Sequence, residues 1–374
     1  MNELVQNIQK EIGKVIKGKD EVIAKILMAI LAKGNVLMED VPGVGKTTMA
    51  MAFARTMGLD TKRIQFTPDT MPSDILGFTV YDKNTGALTY KHGAVITNLL
   101  LADEINRTSS KTQSALLEAM EEKKITVEGK TYILPDPFVV LATQNPVGSA
   151  GTVMLPNSQL DRFMIKINMG YPDLESQVNI LCDRHNSDPL DKVVPAVTKE
   201  QLKQLIKETN NVRMDREVYE YAARLAEGTR KHEMSELGIS PRGTLALCRM
   251  AKAHAFASGR DYVIPFDIQD VFQDVCGHRM ILSSKARLNE YTAEQLLDEV
   301  LHSVDAPAAK EIKTVKDMQT DAKAQAPAAP AAPAPTAAQK APAAPAPAAP
   351  KAPATPAPAK TPAPAAPVKA PADK

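Results

Sequence analysis

Asp40-Val41-Pro42-Gly43-Val44-Gly45-Lys46-Thr47-Thr48 follows a short apolar run, Val36-Leu37-Met38, and opens a helix-like pattern from Met49 to Met57. A strand, a glycine-containing turn and a helix in that order read as a phosphate-binding loop, because glycines let backbone N–H groups turn toward phosphates. Lys46 can reach the β- and γ-phosphates, and the Thr47 hydroxyl can ligate Mg²⁺. Gly43, Val44, Gly45, Lys46, Thr47 and Thr48 are therefore the candidate nucleotide-binding residues, for ATP or GTP. The pattern has one departure: Asp40 stands six residues before the lysine, where glycine is usual. A Gly/Pro turn that happens to precede a lysine is the alternative, and the rest of the chain has to separate the two.

Asn98-Leu99-Leu100-Leu101-Ala102-Asp103-Glu104 is an apolar run ending in two carboxylates. Beside a phosphate loop the acids divide the work: Asp103 holds Mg²⁺ through its water shell, and Glu104 polarises the water that attacks the γ-phosphate. A third apolar run, Phe138-Val139-Val140-Leu141-Ala142, leads to Thr143-Gln144-Asn145-Pro146. Ligands of open α/β sheets lie beyond such strand ends, so Asn145 can touch the γ-phosphate or the water. Asparagine before proline is also a common turn starter.

With Gln65-Phe66-Thr67-Pro68-Asp69, Pro72-Ser73-Asp74-Ile75-Leu76-Gly77, Asp103-Glu104-Ile105-Asn106-Arg107, Thr112 to Glu122, Ala142 to Pro146, Gln159-Leu160-Asp161-Arg162-Phe163 and Ser240-Pro241-Arg242, the chain resembles a MoxR-type AAA+ ATPase of the branch with an insertion near its second helix. The resemblance covers about residues 1 to 303. It implies an α/β fold, a P-loop NTPase core with a parallel sheet over 1–170; the helical patterns that follow read as an all-helical lid over 171–305, and the change of composition from about 306 reads as a disordered Ala/Pro-rich tail over 306–374. It implies Arg162 as an arginine finger for a neighbouring subunit's γ-phosphate and Arg242 as the second-sensor arginine of the lid. Their forked, permanently charged guanidinium groups suit phosphate oxygens. Arg107 is a weaker candidate for the same work. The segment Val15-Ile16-Lys17-Gly18 resembles the edge of an adenine pocket, which adds Ile16 and Gly18 to the nucleotide site, although a plain loop reads nearly as well. The cofactors implied are ATP and Mg²⁺, with ATP preferred over GTP by resemblance alone.

The 374 residues carry a net charge of +1, which argues against a surface built wholly to grip nucleic acid. Cys182, Cys248 and Cys276 are widely spaced and form no CxxC pair, so they read as thiols in a reducing compartment and outline no zinc site. No apolar run long enough for export or membrane spanning is present, and a cytoplasmic location is expected. Asp20 is placed to cap a helix with apolar residues from Val22 to Leu31, which Gly34 stops. Hairpins are expected over Phe78–His92, turning at Asn84-Thr85-Gly86, and over Ile125–Ile133. Helical patterns run over Leu174–His185, Lys199–Asn210, Asp215–Lys231, Pro241–Ser258, Pro265–Cys276 and Ala293–Val304. Pro241 just inside its helix sets Arg242 facing the cleft between the domains. From Pro327 the tail is nearly all Ala and Pro with spaced lysines, expected as an extended polyproline-like spacer.

The leading expectation is an oligomeric ATPase, a hexameric ring by resemblance, that remodels or matures a protein client. The resemblance suggests clients with von Willebrand factor A-type domains. The alternatives are a nucleic-acid motor or loader, and an ATP-gated scaffold with little turnover. Lys83, Lys91 and Lys130 on the hairpins are too few to favour the motor.

Overall fold

The computed structural model describes residues 2–41, 43–83, 86–145, 154–185 and 188–307. In chain order, α1 (Glu3–Gly13) and α2 (Asp20–Leu31) precede β1 (Val36–Glu39), α3 (Lys46–Thr56), β2 (Thr61–Gln65), α4 (Pro72–Leu76), the hairpin β3 (Gly77–Tyr81) with β4 (Leu88–His92), and β5 (Leu99–Asp103). There follow α5 (Ser110–Glu122), the hairpin β6 (Lys124–Val127) with β7 (Lys130–Ile133), β8 (Val139–Gln144), α6 (Asn157–Leu160) and β9 (Ile165–Ile167). The remainder is mainly helical: α7 (Leu174–Asp183), α8 (Lys199–Asn211), α9 (Arg216–Lys231), β10 (Ser235–Leu237), α10 (Pro241–Ala257), α11 (Pro265–Cys276), β11 (Ile281–Leu282), α12 (Ser284–Leu288) and α13 (Ala293–Ser303).

Five strands pair in parallel in the order β2-β5-β8-β1-β9. Parallel sheets are covered on both faces, and the central strands accordingly read as unbroken apolar runs. Val36, Met38, Leu99, Leu101, Val139 and Leu141 face one core with α2 and α3, while Leu37, Leu100, Ala102, Val140 and Ala142 face another with Leu116, Leu117 and Met120 of α5. Chain order reverses between β1 and β8, and the crevice beyond their carboxyl ends is where ligands of such sheets bind.

Helix α2 buries Ile23, Ile26, Leu27, Met28, Ala29, Ile30 and Leu31, so it is apolar around most of its girth. That suits a helix packed between the sheet and the carboxyl-terminal helices, and the first core indeed runs on through Leu205, Leu247, Ala251 and Phe272. Asp20 does not cap α2: Lys19 occupies the cap position and sends its Nζ to Tyr171 O at 2.9 Å, leaving Asp20 as the first helical residue. Helices expected at Pro265–Cys276 and Lys199–Asn210 are found at Pro265–Cys276 and Lys199–Asn211, the latter started by a Thr198/Gln201 capping box. Both hairpins form, and Tyr90 of β4 stacks on Tyr132 of β7 with ring centroids 4.2 Å apart. The turn residues Asn84 and Thr85 and the Ala/Pro stretch from Pro327 lie outside the described residues.

Arg279, just after α11, ties the helical half to the loop that follows α6. Its side chain, 2 % exposed, donates to Asp161 Oδ1 at 2.8 Å, to Asp161 O and Met164 O at 3.2 Å each, and to Phe163 O. Ser240, the cap of α10, holds the other oxygen, Asp161 Oδ2, at 2.9 Å. Removing one member of a buried charged pair strands the other, so Arg279→Ala should lower the unfolding free energy by about 3–5 kcal/mol in denaturant titrations. A loss under about 1 kcal/mol would show that water replaces these ties.

Candidate active site

The loop after β1 departs from the glycine pattern at a position that bears structure. Asp40 Oδ2 accepts from the backbone N–H groups of Met169 and Gly170 at 2.7 Å each, and Oδ1 accepts from Val41 N at 3.0 Å. Its backbone carbonyl accepts from Lys46 Nζ at 2.6 Å. Asp40 thus clamps the start of the loop to the segment after β9, on the far side of β1. The glycines at the turn itself are required: Gly43 and Gly45 have φ of 90° and 98°, left-handed values that other residues rarely adopt. Gly45 then caps α3, so Lys46 and Thr47 begin that helix with free N–H groups pointing outward.

A cavity of about 700 Å³ opens over this loop. Gly43, Val44, Gly45, Lys46, Thr47, Thr48, Asp103, Glu104, Asn145 and Ile16 all line it. Burial pushes the Lys46 ammonium below its usual pKa, while Asp40, Asp103 and Glu104 pull it back up. Helix α7 closes one side with Gln177, Ile180, Leu181 and Arg184, the last donating to Thr48 Oγ1 at 3.3 Å. Gly18 does not line the cavity. With φ of 66°, it packs against the start of α7, where a Cβ would meet Ser176 Oγ at 2.2 Å, so it seats the helix that forms the wall.

The two acids are held by partners from the neighbouring strand end. Thr143 of β8 donates its hydroxyl to Asp103 Oδ1 at 2.6 Å and accepts from Glu104 N at 2.9 Å. Glu104 has φ of 56°, an uncommon left-handed backbone for a residue with a side chain and a sign of strain held by its surroundings. Its Oε1 accepts from Asn145 Nδ2 at 3.0 Å, and its Oε2 lies 3.0 Å from Arg107 Nε. Asn106 fixes Asn145 from below: its Nδ2 donates to Asn145 O at 3.1 Å and its Oδ1 accepts from Asn145 N at 3.3 Å. Asn145 Oδ1 is buried with no hydrogen-bond partner among the described residues. The positioning roles of Thr143, Asn106 and Arg63, which contacts Asp103, cannot be read from local sequence, because each acts across about 40 residues of chain.

Arg162 and Arg242 are not at this cavity. They line a second one, of about 440 Å³, with Lys33, Lys123 and Arg249. Both approach the same carboxylate, Glu121 of α5: Arg242 through Nη2, and Arg162 with Nε 3.4 Å from Oε2. Arg242, set at the start of α10 by Ser240 and Pro241, meets the α/β half at α5, beside a cavity whose lining does not include the phosphate loop. Among the described residues, no cluster of three His, Cys, Asp or Glu side chains is placed to hold a metal ion by itself. Thr47 and Asp103 offer hard oxygen donors on the cavity wall, which fits Mg²⁺ arriving with nucleotide phosphates, because that ion seldom uses an all-protein cage.

Residues 35–165 match the model of the ATPase family associated with various cellular activities (AAA), and residues 227–300 match an AAA lid domain. The chain is 46% identical over 310 residues to YeaC of Bacillus subtilis, covering 83% of this chain and 97% of that one. It is 39% identical to Chaperone MoxR1 of Mycobacterium tuberculosis, over 79% of this chain and 81% of that relative. A solved structure from Cytophaga hutchinsonii, assigned as an ATPase, superposes with a TM-score of 0.76 at 38% identity, covering 82% of this chain and 95% of that chain.

The clamp at Asp40 makes a direct prediction. Asp40→Gly, which restores the usual motif residue, leaves the amides of Val41, Met169 and Gly170 without their acceptor and should cost about 1–3 kcal/mol in urea unfolding, with Asp40→Asn costing less. A glycine variant as stable as the wild type would contradict the clamp.

Proposed function

This chain belongs to the MoxR-type AAA+ ATPases, and from that premise we propose that it hydrolyses ATP with Mg²⁺ and drives remodelling or maturation of a protein client as a ring of identical subunits. The single observation that carries the hydrolytic part is the contact of Glu104 with Asn145 at 3.0 Å in the cavity that holds the phosphate loop. An acid aligned by an amide beside Lys46 and Thr47 can orient and deprotonate a water in line with a γ-phosphate. Thr47 and Asp103 would hold Mg²⁺, which neutralises charge on the phosphates when bound. Lys46 then binds the phosphates, Thr143 and Asn106 keep the acid and amide in place, and Ile16 with α7 borders the base.

The oligomeric part rests on Arg162 and Arg242. Two guanidinium groups converge on Glu121 at a cavity separate from the chain's own phosphate loop. Arginine is the side chain suited to charge that develops on a transferring phosphoryl group, and a pair placed away from the site in cis serves a site in another subunit. Glu121 marks where that anion would enter. We extend the proposal to the division of the chain into 1–170, 171–305 and 306–374, since among the described residues no strand of the large sheet follows Ile167. Cys182, Cys248 and Cys276 are free thiols, which supports a reducing, cytoplasmic setting, and no described helix is long and apolar enough to cross a membrane. The name of the mycobacterial relative, a chaperone, supports a protein client, and clients with von Willebrand factor A-type domains are part of the proposal.

The roles separate in two variants. Lys46→Ala should abolish nucleotide binding, whereas Glu104→Gln should keep binding and lose turnover at least about a hundredfold. Equal residual turnover in both, or lost binding in Glu104→Gln, would contradict the division of roles.

A further inference from the structure

Arg63 has no part in the roles above, yet it stands at the metal end of the site. It lies on β2, the edge strand next to β5, and its Nη2 donates to Asp103 Oδ2 at 2.7 Å and to Gln65 Oε1 at 2.8 Å. Thr143 already holds Asp103 Oδ1. Both oxygens of the proposed metal-associated carboxylate therefore have donors, and one donor is a full positive charge. Arg63 also lines the cavity together with Lys46 and Thr47. Its side chain is 50% exposed while that of Asp103 is 10% exposed, so the guanidinium is free to swing and the carboxylate is not.

We propose that Arg63 is a resident cation of the nucleotide site, one that holds Asp103, contacts phosphates when no divalent ion is present, and gives way to Mg²⁺ when one is. The inference rests on the nucleotide-site reading given above. A fixed positive charge attracts polyphosphate and repels a divalent cation. A guanidinium presents forked donors to phosphate oxygens, whereas Mg²⁺ requires carboxylate oxygens and water in near-octahedral order. The same side chain must therefore act with opposite sign on the two ligands, which a residue that only supports the fold would not do. Half exposure keeps each effect to a few-fold.

The test is binding of a fluorescent non-hydrolysable ATP analogue to the full chain, in EDTA and across a Mg²⁺ titration, for wild type, Arg63→Gln and Arg63→Lys. Arg63→Gln should weaken metal-free binding about three- to tenfold and lower the Mg²⁺ concentration of half-effect by a similar factor. Arg63→Lys, which keeps the charge, should stay near wild type in both. If wild type binds and Arg63→Gln moves neither quantity, or weakens binding with and without Mg²⁺ alike, the inference is overturned and the nucleotide site stands. If wild type binds no analogue under either condition, the nucleotide-site reading falls and the inference falls with it.

Discussion

The central strands of a parallel sheet, buried on both faces, tolerate polar side chains only where they end, and that constraint organises the site. Strands β5 and β8 are buried along their whole length, so Asp103 and Thr143 meet at the rim and pair at 2.6 Å. Glu104, one position after Asp103, and Asn145, two after Thr143, pair in turn. The order β2-β5-β8-β1-β9 sets β8 beside β1, which brings these groups against the phosphate loop. A change of strand order would scatter the acids while leaving each segment of sequence intact.

Much of this was legible because periodicity and the loop motif are local. The strand–loop–helix unit at Val36 to Met57, the paired acids and the carboxyl-terminal helices each follow from residues within a few positions of one another. What escaped depends on partners distant in the chain. β2, with the sequence Thr61-Lys62-Arg63-Ile64-Gln65, is an edge strand with three of its five residues exposed, so it lacks the apolar run that marks β5 and β8. Helix α1 buries Val5, Ile8 and Ile12 at helical spacing, a stripe of three residues among mostly polar neighbours that gives little local signal. Asp40 reads as a defect in a glycine motif until the amides of Met169 and Gly170, about 130 residues away, are seen to need an acceptor. Gly18 packs against the start of α7, a placement its sequence context does not reveal, since a left-handed glycine can serve a ligand or a close helix equally well.

The positions of Arg162 and Arg242 show how a lid and a core can act as one surface. Arg279 and Ser240 divide the carboxylate of Asp161 between them, which fastens the residue before Arg162 to the helix that carries Arg242. Glu121, from α5 of the core, then gathers both arginines. Each of the Glu121 pairs is partly exposed, and pairs of that kind are worth only about 0–1 kcal/mol. A phosphate, with more charge and a geometry that matches the guanidinium fork, is a strong partner for such a pair. In the proposed machine, movement of the helical half would carry the arginines with it, and that is the coupling hydrolysis would drive.

The central claim is that a complete site is assembled from two subunits, one giving the phosphate loop and the other the arginines. The most direct measurement is ATP turnover in mixtures of Lys46→Ala and Arg162→Ala proteins, each expected to be inactive alone. The account predicts that mixing restores activity, because a subunit with an intact loop can lie beside one with intact arginines. Mixtures as inactive as either variant by itself, with subunit exchange verified, would contradict it.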